Sequence, residues 1–462
     1  MVAASALASV LAAASAPAAG AAFEPGAAGV GDPFFPRAGN GGYDVSHYGL
    51  DLIYFPNLGR LNATATIRAT ATQDLSSFDL DYRGPRITDV TVGGEAAGYS
   101  RRGQELVVEP AAGIPNGSSF EVVVAYRGPP HEITDADGSI EGWVRTDDGA
   151  FVVGEPQGSP TWFPCNDHPT DKASFATSIT VPRGTEAIAN GALRGRIPSR
   201  RRRGNEMVRW NYVAQEPMAT YLATATVGQF DIDRTPVAGL GSLVAIDPLE
   251  QGRRERRLRR SFQRSDEIIG LFAGLFGPYP FTQTGAIVDH APQVGYALET
   301  QTRPIYDGAP SQTTVAHELA HQWFGDSVSL ARWQDMWLNE GFATWAQWRW
   351  GEETGGPTTA AQLLSLQLQP ASRTDLWDPP AGAIPTPAEL FATSVYTRGA
   401  MALEALRQRV GNATFYDILR AWTAAHAYAN ATTADFIALS ESQSGRQLDE
   451  LFQRYLFKPG KP

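Results

Sequence analysis

Two histidines four positions apart, with a glutamate beside the first, form His317-Glu318-Leu319-Ala320-His321. On a helix, positions i and i+4 project from one face. Two imidazoles can then hold a single metal ion while the glutamate between them reaches a metal-bound water. The competing reading is two helix-face histidines in chance register. With seven histidines in 462 residues, that register is expected in only ~0.5% of such chains. The flanks Val315, Ala316, Trp323 and Phe324 are apolar, as a packed helix requires.

A catalytic zinc takes three protein ligands and leaves a fourth position open. Eighteen residues separate His321 from Glu340, which lies in Trp337-Leu-Asn-Glu-Gly-Phe-Ala343 on the next amphipathic stretch. That gap suits a helix–loop–helix return. Asp335 and Asp326 are rival carboxylates, but Asp326 is too close to the first helix to turn back easily. Glu340 is the preferred third ligand, and a nitrogen and oxygen set favours one Zn2+ per chain.

The elements that must position these residues fall into two units. Alternating stretches at 48–54, 61–68, 120–126 and 205–213, bounded by Gly, Pro, Asn or Asp turns, read as half-buried antiparallel strands. They predict a β-sandwich domain over 43–233. From 253 onward the apolar period becomes helical, with candidate helices at 253–276, 313–324, 334–349, 358–368, 396–409, 413–425 and 433–440. A β-like patch spans 284–289 and 295–300, so 234–462 reads as an α+β, mainly helical domain. Residues 1–22 are small and apolar like a secretory signal, and a Gly/Pro-rich linker follows at 26–42. A secreted or cell-envelope protein is therefore expected, with no integral membrane span, since no later apolar run is long enough.

Composition narrows the chemistry. The single cysteine, Cys165, rules out an intramolecular disulfide and a thiolate metal cluster. It reads as a small buried hydrophobe. Acidic residues outnumber basic ones, 49 to 38, for a formal charge of -11, the opposite of a nucleic-acid-binding footprint. The arginines at 200–203 read as a solvated hairpin loop, and those at 253–260 as an exposed helix face. Asp135-Ala-Asp-Gly138 with Glu141 lacks the spacing of a calcium loop and reads as a turn between strands. Asp167 and Lys172 could be ion-pair members at the domain boundary. Thr344, one turn after Glu340, could lie close to the metal ligands.

The run His317-Glu-Leu-Ala-His-Gln-Trp-Phe-Gly325, the eighteen-residue gap and Trp337-Leu-Asn-Glu-Gly-Phe-Ala343 closely resemble the aminopeptidase N family of zinc metallopeptidases, which are gluzincins. Three further stretches match in the family's order. They are Phe163-Pro-Cys-Asn-Asp-His-Pro-Thr-Asp-Lys-Ala-Ser-Phe175, Gly295-Tyr-Ala-Leu-Glu-Thr300 and Tyr396-Thr-Arg-Gly-Ala400. The resemblance covers roughly residues 43 to 460 and implies a thermolysin-like catalytic domain after the β domain.

The resemblance also implies roles. His317, His321 and Glu340 would bind zinc, and Glu318 would be the general base and then acid. Tyr396 would donate a hydrogen bond to the oxyanion. Gly295, Tyr296, Ala297, Leu298 and Glu299 would form the substrate strand. Glu299 and Glu155 would pair with the free α-ammonium of a peptide, the expected partner. Departures are Thr300 for the usual Asn, Leu298 for Met, Tyr296 for the first Gly of the motif and Asp326 for Asn. Larger members carry a helical C-terminal domain that roofs the site, so a more open site is expected here. Two alternatives stay in view: endopeptidase or other hydrolysis at the same site, and a non-catalytic binding protein that keeps the fold.

Overall fold

The computed structural model describes residues 22–200, 206–250 and 255–462. The signal-like stretch up to residue 21, the arginines at 201–203 and those at 253 and 254 lie outside the described residues.

The alternation in Tyr43–Phe55 and Arg60–Ala71 produces a long hairpin, turned at Pro56–Leu58 and closed by Gly59 at φ 55°. Leu50, Leu52, Tyr54, Leu61, Ala63, Ala65 and Ile67 face the core, while the residues alternating with them are less buried. This hairpin lies in an eight-stranded sheet. The strand Ala173–Pro182 joins it parallel to Tyr43–Phe55, in register Phe175 to Tyr48. A parallel neighbour needs a long crossover, and residues 56–172 provide it, carrying further strands on the way. Four-stranded and five-stranded sheets cover this sheet. Aromatic side chains fill the interior, with Tyr54 against Trp143 at 5.0 Å and Tyr48 stacked on Phe175 at 4.9 Å. The strands Ala192–Arg200 and Glu206–Met218 pair antiparallel on either side of the arginine run.

The second unit begins with a five-stranded sheet in the spatial order Asp231–Asp233, Gly241–Ile246, Gln283–Val288, Ile305–Tyr306, Ala297–Leu298. Its first strand therefore starts three residues before 234, the boundary read from the sequence. The last strand is a short edge, antiparallel to its neighbour. Ten α-helices follow among the described residues: α1 Glu255–Phe262, α2 Ser265–Phe276, α3 Gln312–His321, α4 Trp337–Glu353, α5 Thr359–Gln367, α6 Thr374–Trp377, α7 Thr393–Val410, α8 Asn412–Ala425, α9 Thr433–Ser444 and α10 Asp449–Phe452. The single helix expected at 253–276 is two, because the chain breaks at residues 263 and 264. Helices α6 and α10 are four residues each, too short to show a periodicity.

One expectation is corrected. Residues 26–42 are not simply a linker, because Asp32, Phe34, Phe35, Ala38 and Asn40 are buried. Asp32 accepts hydrogen bonds from Phe34 N and Phe35 N through Oδ1, and from Trp333 N at 3.1 Å through Oδ2. Trp333 belongs to the second unit, so this Gly/Pro-rich stretch is a seam between the two. Its composition resembles a linker because the path needs tight turns, as at Gly39 (φ 69°).

Candidate metal centre and substrate cavity

Helix α3 starts at Ser311, whose Oγ accepts from Thr314 N at 3.0 Å, as an N-cap should. Val315, Ala316, Leu319 and Ala320 are buried and fix its rotation. His317 and His321 then share one face, with ring centroids 4.8 Å apart. Helix α4 is oriented by its own tryptophans. Trp337 Nε1 donates to Thr433 Oγ1 at 2.8 Å, and Trp345 Nε1 donates to Glu404 Oε2 at 3.1 Å. That orientation turns Glu340 toward α3.

The three side chains converge. Glu340 Oε2 lies 3.1 Å from His317 Nε2 and 3.4 Å from His321 Nε2. His321 Nδ1 sits 3.0 Å from Phe324 O. A carbonyl only accepts, so Nδ1 carries a proton, which leaves Nε2 as the atom that would ligate an ion. One ligand atom from each of the three residues lies within 4.8 Å of the other two. This two-nitrogen, one-oxygen set fits a single zinc ion with room for a fourth ligand. The rivals are excluded by position. Asp335 is held by Arg332 Nη2 at 2.9 Å and Thr433 Oγ1 at 2.6 Å, and Asp326 is outside the cluster.

Electrostatics follow from burial and proximity. Burial alone would raise the Glu340 carboxyl, but the His321 imidazole and the hydrogen bonds from both histidines pull it down to about 2. Burial lowers His317. Burial also opposes protonation of His321, yet the Glu299 and Glu340 carboxylates lift it well above the usual imidazole value. Glu318 is buried, and that burial lifts its carboxyl well above the ordinary range.

A cavity of about 490 Å³ opens over the cluster. His317, Glu318, His321, Glu340, Tyr396, Glu155, Glu299, Tyr296 and Ala297 all line it, so the structure brings together nearly every residue singled out from the sequence. Two fall outside the lining. Leu298 is 1% exposed and packs into the core, because successive side chains of a strand point to opposite faces. Gly295 sits before the edge strand at φ 83°, its N–H donating to Asp307 Oδ2 at 3.0 Å. Thr300 turns the chain back through a hydrogen bond from Oγ1 to Arg303 O.

Tyr396 comes from the first turn of α7, and its ring stacks on His317 at 6.1 Å. Helices α4 and α7 come close enough for this at a glycine pair. A Cβ built on Gly399 would lie 2.6 Å from Gly341 Cα.

Glu155 and Glu299 are both buried, and each has an Oε1 without a hydrogen-bond partner. Burial raises both carboxyls, and the charge of Glu299 raises Glu155 further. Two carboxylates so placed are costly unless a cation joins them.

Several cavity residues carried no role in the sequence reading: Asp137, Ser139, Thr314, Gln347 and Phe391. Helical spacing could have found two of them, since Thr314 lies three residues before His317 and Gln347 seven after Glu340. Nothing local signals the others. Thr344 lines the cavity as expected. Cys165 is buried, and burial raises its thiol. Asp167 and Lys172 do not form an ion pair. Lys172 Nζ donates to the main-chain oxygens of Asp326 and Ser327 at 2.8 and 2.9 Å, while Asp167 accepts from Thr220 Oγ1. No helix among the described residues is long and apolar enough to cross a membrane.

Comparison with known proteins agrees with this geometry. The profile of the Peptidase M1 N-terminal domain matches residues 44–222, and that of the Peptidase family M1 domain matches 296–455. Aminopeptidase M1-A of Oryza sativa subsp. japonica is 30% identical over 335 residues, covering 67% of this chain and 37% of the relative. Glutamyl aminopeptidase of Rattus norvegicus is 25% identical over 459 residues, covering 90% and 47%. The chain thus spans less than half the length of these curated relatives. A solved two-domain M1 zinc metallopeptidase bound to L-arginine is 29% identical, with a TM-score of 0.82 over 94% of this chain and 98% of that one. The M1 zinc metallopeptidase from Deinococcus radiodurans is 28% identical, with a TM-score of 0.80 over 93% and 97%.

Proposed function

We propose that this chain, which belongs to the M1 family of zinc metallopeptidases, is an aminopeptidase that removes the first residue from peptides with a free N-terminus. The observation that carries this reading is the pair Glu155 and Glu299. Both are buried at one cavity, both have an oxygen without a hydrogen-bond partner, and both stand beside the metal cluster. An α-ammonium would satisfy both carboxylates with charge-assisted hydrogen bonds. A mid-chain amide carries no charge and would leave them unpaired.

His317, His321 and Glu340 would hold the ion. When bound, zinc supplies Lewis-acid polarisation of the scissile carbonyl and acidifies the attacking water. Glu318, one residue from His317 and lining the same cavity, accepts the water proton and delivers it to the leaving nitrogen. Tyr396, stacked on His317, donates its hydroxyl hydrogen to the carbonyl oxygen as charge develops there.

The test compares matched peptides with free and N-acetylated termini, with and without a chelator. Cleavage of the free peptide alone, abolished by chelation, is expected. Equal cleavage of both forms would overturn amine recognition, and cleavage untouched by chelation would overturn the metal reading. The signal-like composition of residues 1–22 supports export, which N-terminal sequencing of the mature protein would check.

A further inference from the structure

We infer that the cavity selects a basic first residue, lysine or arginine, and that Asp137 is the specificity-determining carboxylate. This rests on the aminopeptidase reading of the same site.

The side chain of the first residue branches from the carbon between the ammonium and the scissile carbonyl. It therefore starts between the Glu155 and Glu299 clamp and the metal ligands. Asp137, Ser139 and Tyr296 line the same cavity as Glu155, and the Tyr296 hydroxyl feels the charges of both Glu155 and Asp137. Tyr296 OH donates to Ile140 O at 2.8 Å, which ties the substrate edge strand to the turn carrying Asp137. That turn is tight. Asp137 Oδ1 accepts from Ser139 N at 2.8 Å and Ser139 Oγ at 2.6 Å, and Oδ2 takes part in neither bond. The carboxylate is thus held at the cavity rim with an oxygen to spare.

Two further carboxyl groups stand behind this wall. Asp135 Oδ2 and Glu141 Oε1 are buried and unpartnered, and burial raises both carboxyls. Burial and then the charges of Glu141, Glu155, Asp137 and Asp135 push the Tyr296 hydroxyl up, so all four carboxyls act on this wall. Arg83 is the cation that acts on Asp135 and Glu141, and it is already engaged by Gln104 and Gln157. A long cationic side chain would lay its methylenes along Tyr296 and bring its charge to Asp137. An acidic side chain would meet repulsion, and an aliphatic one would leave Asp137 to water.

The experiment measures kcat/KM of the zinc-loaded protein on lysyl, norleucyl, arginyl, leucyl and glutamyl amide reporters. Wild type is expected to favour lysyl over norleucyl, and arginyl over leucyl. Asp137→Asn should lower both ratios about 5-fold, the scale of one partly solvated ion pair. Asp137→Lys should reverse them and raise glutamyl relative to leucyl turnover. Asp137 is exposed, and circular dichroism would check that both variants fold. Wild-type preference for norleucyl, or ratios unchanged by both substitutions, would overturn the inference and leave the aminopeptidase reading standing. No cleavage of any reporter would overturn both.

Discussion

Gln322 Nε2 donates to the main-chain oxygen of Glu299 at 3.0 Å. Its Oε1 accepts from Thr302 N at 2.8 Å, so one amide immediately after His321 spans both ends of the substrate turn. Helix α3 and the segment carrying Glu299 are thereby held at a fixed separation, and Gln322 is buried.

Gln322→Ala should leave two buried main-chain groups without partners, at about 1–3 kcal/mol. Glu299 would lose its position while His317, His321 and Glu340 remain. We expect KM for free peptides to rise on the order of 10-fold or more, with zinc content near one per chain by atomic emission. Loss of zinc would show that Gln322 supports α3 rather than the substrate strand.

Removing a ligand and removing the base should separate cleanly. Glu340→Ala deletes the oxygen ligand and leaves His321 without its carboxylate. Zinc should be lost in dialysis, and the thermal stabilisation by added zinc with it. Glu318→Gln keeps the cage, so zinc content should stay at wild-type level while kcat falls about 100-fold or more. Activity retained in Glu318→Gln would reject the proton-transfer role.

Close approach of α4 and α7 is sterically conditional. A Cβ on Gly399 would fall 2.6 Å from Gly341 Cα, so Gly399→Ala must push the helices apart. Overpacking of this kind costs about 1–3 kcal/mol. Tyr396 lies one turn away on α7, so kcat should fall as well, more than for an alanine placed at an exposed site on the same helix. A melting temperature within a degree of wild type would contradict the packing.

The pH dependence of stability should reveal Asp167. Burial, and then the charge of Asp81, lift its carboxyl from 3.8 to about 8. Between those values the folded chain keeps a proton that the unfolded chain has released. Its contribution to stability is therefore present at low pH and lost as pH rises toward 8, by about 1.4 kcal/mol per pH unit. Asp167→Asn keeps an oxygen for Thr220 and removes the titration. Urea midpoints between pH 5 and 7 should fall less steeply with pH in the variant. An unchanged slope would mean that Asp167 is ionised in the folded chain.

Local geometry made the chemistry legible. Helical spacing alone puts His317 and His321 on one face and Glu318 beside them, and strand alternation alone marks the β unit. Glu340 was within reach because a second helix after a short loop must fold back on the first. Other features depended on segments far apart in the chain. Leu298 turns into the core because its strand pairs with Ile305–Tyr306 in one register. Asp137 reaches the cavity because Tyr296 binds Ile140, 156 positions away. Residues 26–42 read as a linker and are a seam, because Asp32 finds Trp333 N, 301 positions on. A residue's neighbours within about one helical turn follow from its own sequence window. Which wall it faces and which charge it meets are set by long-range packing, and that only the folded chain decides.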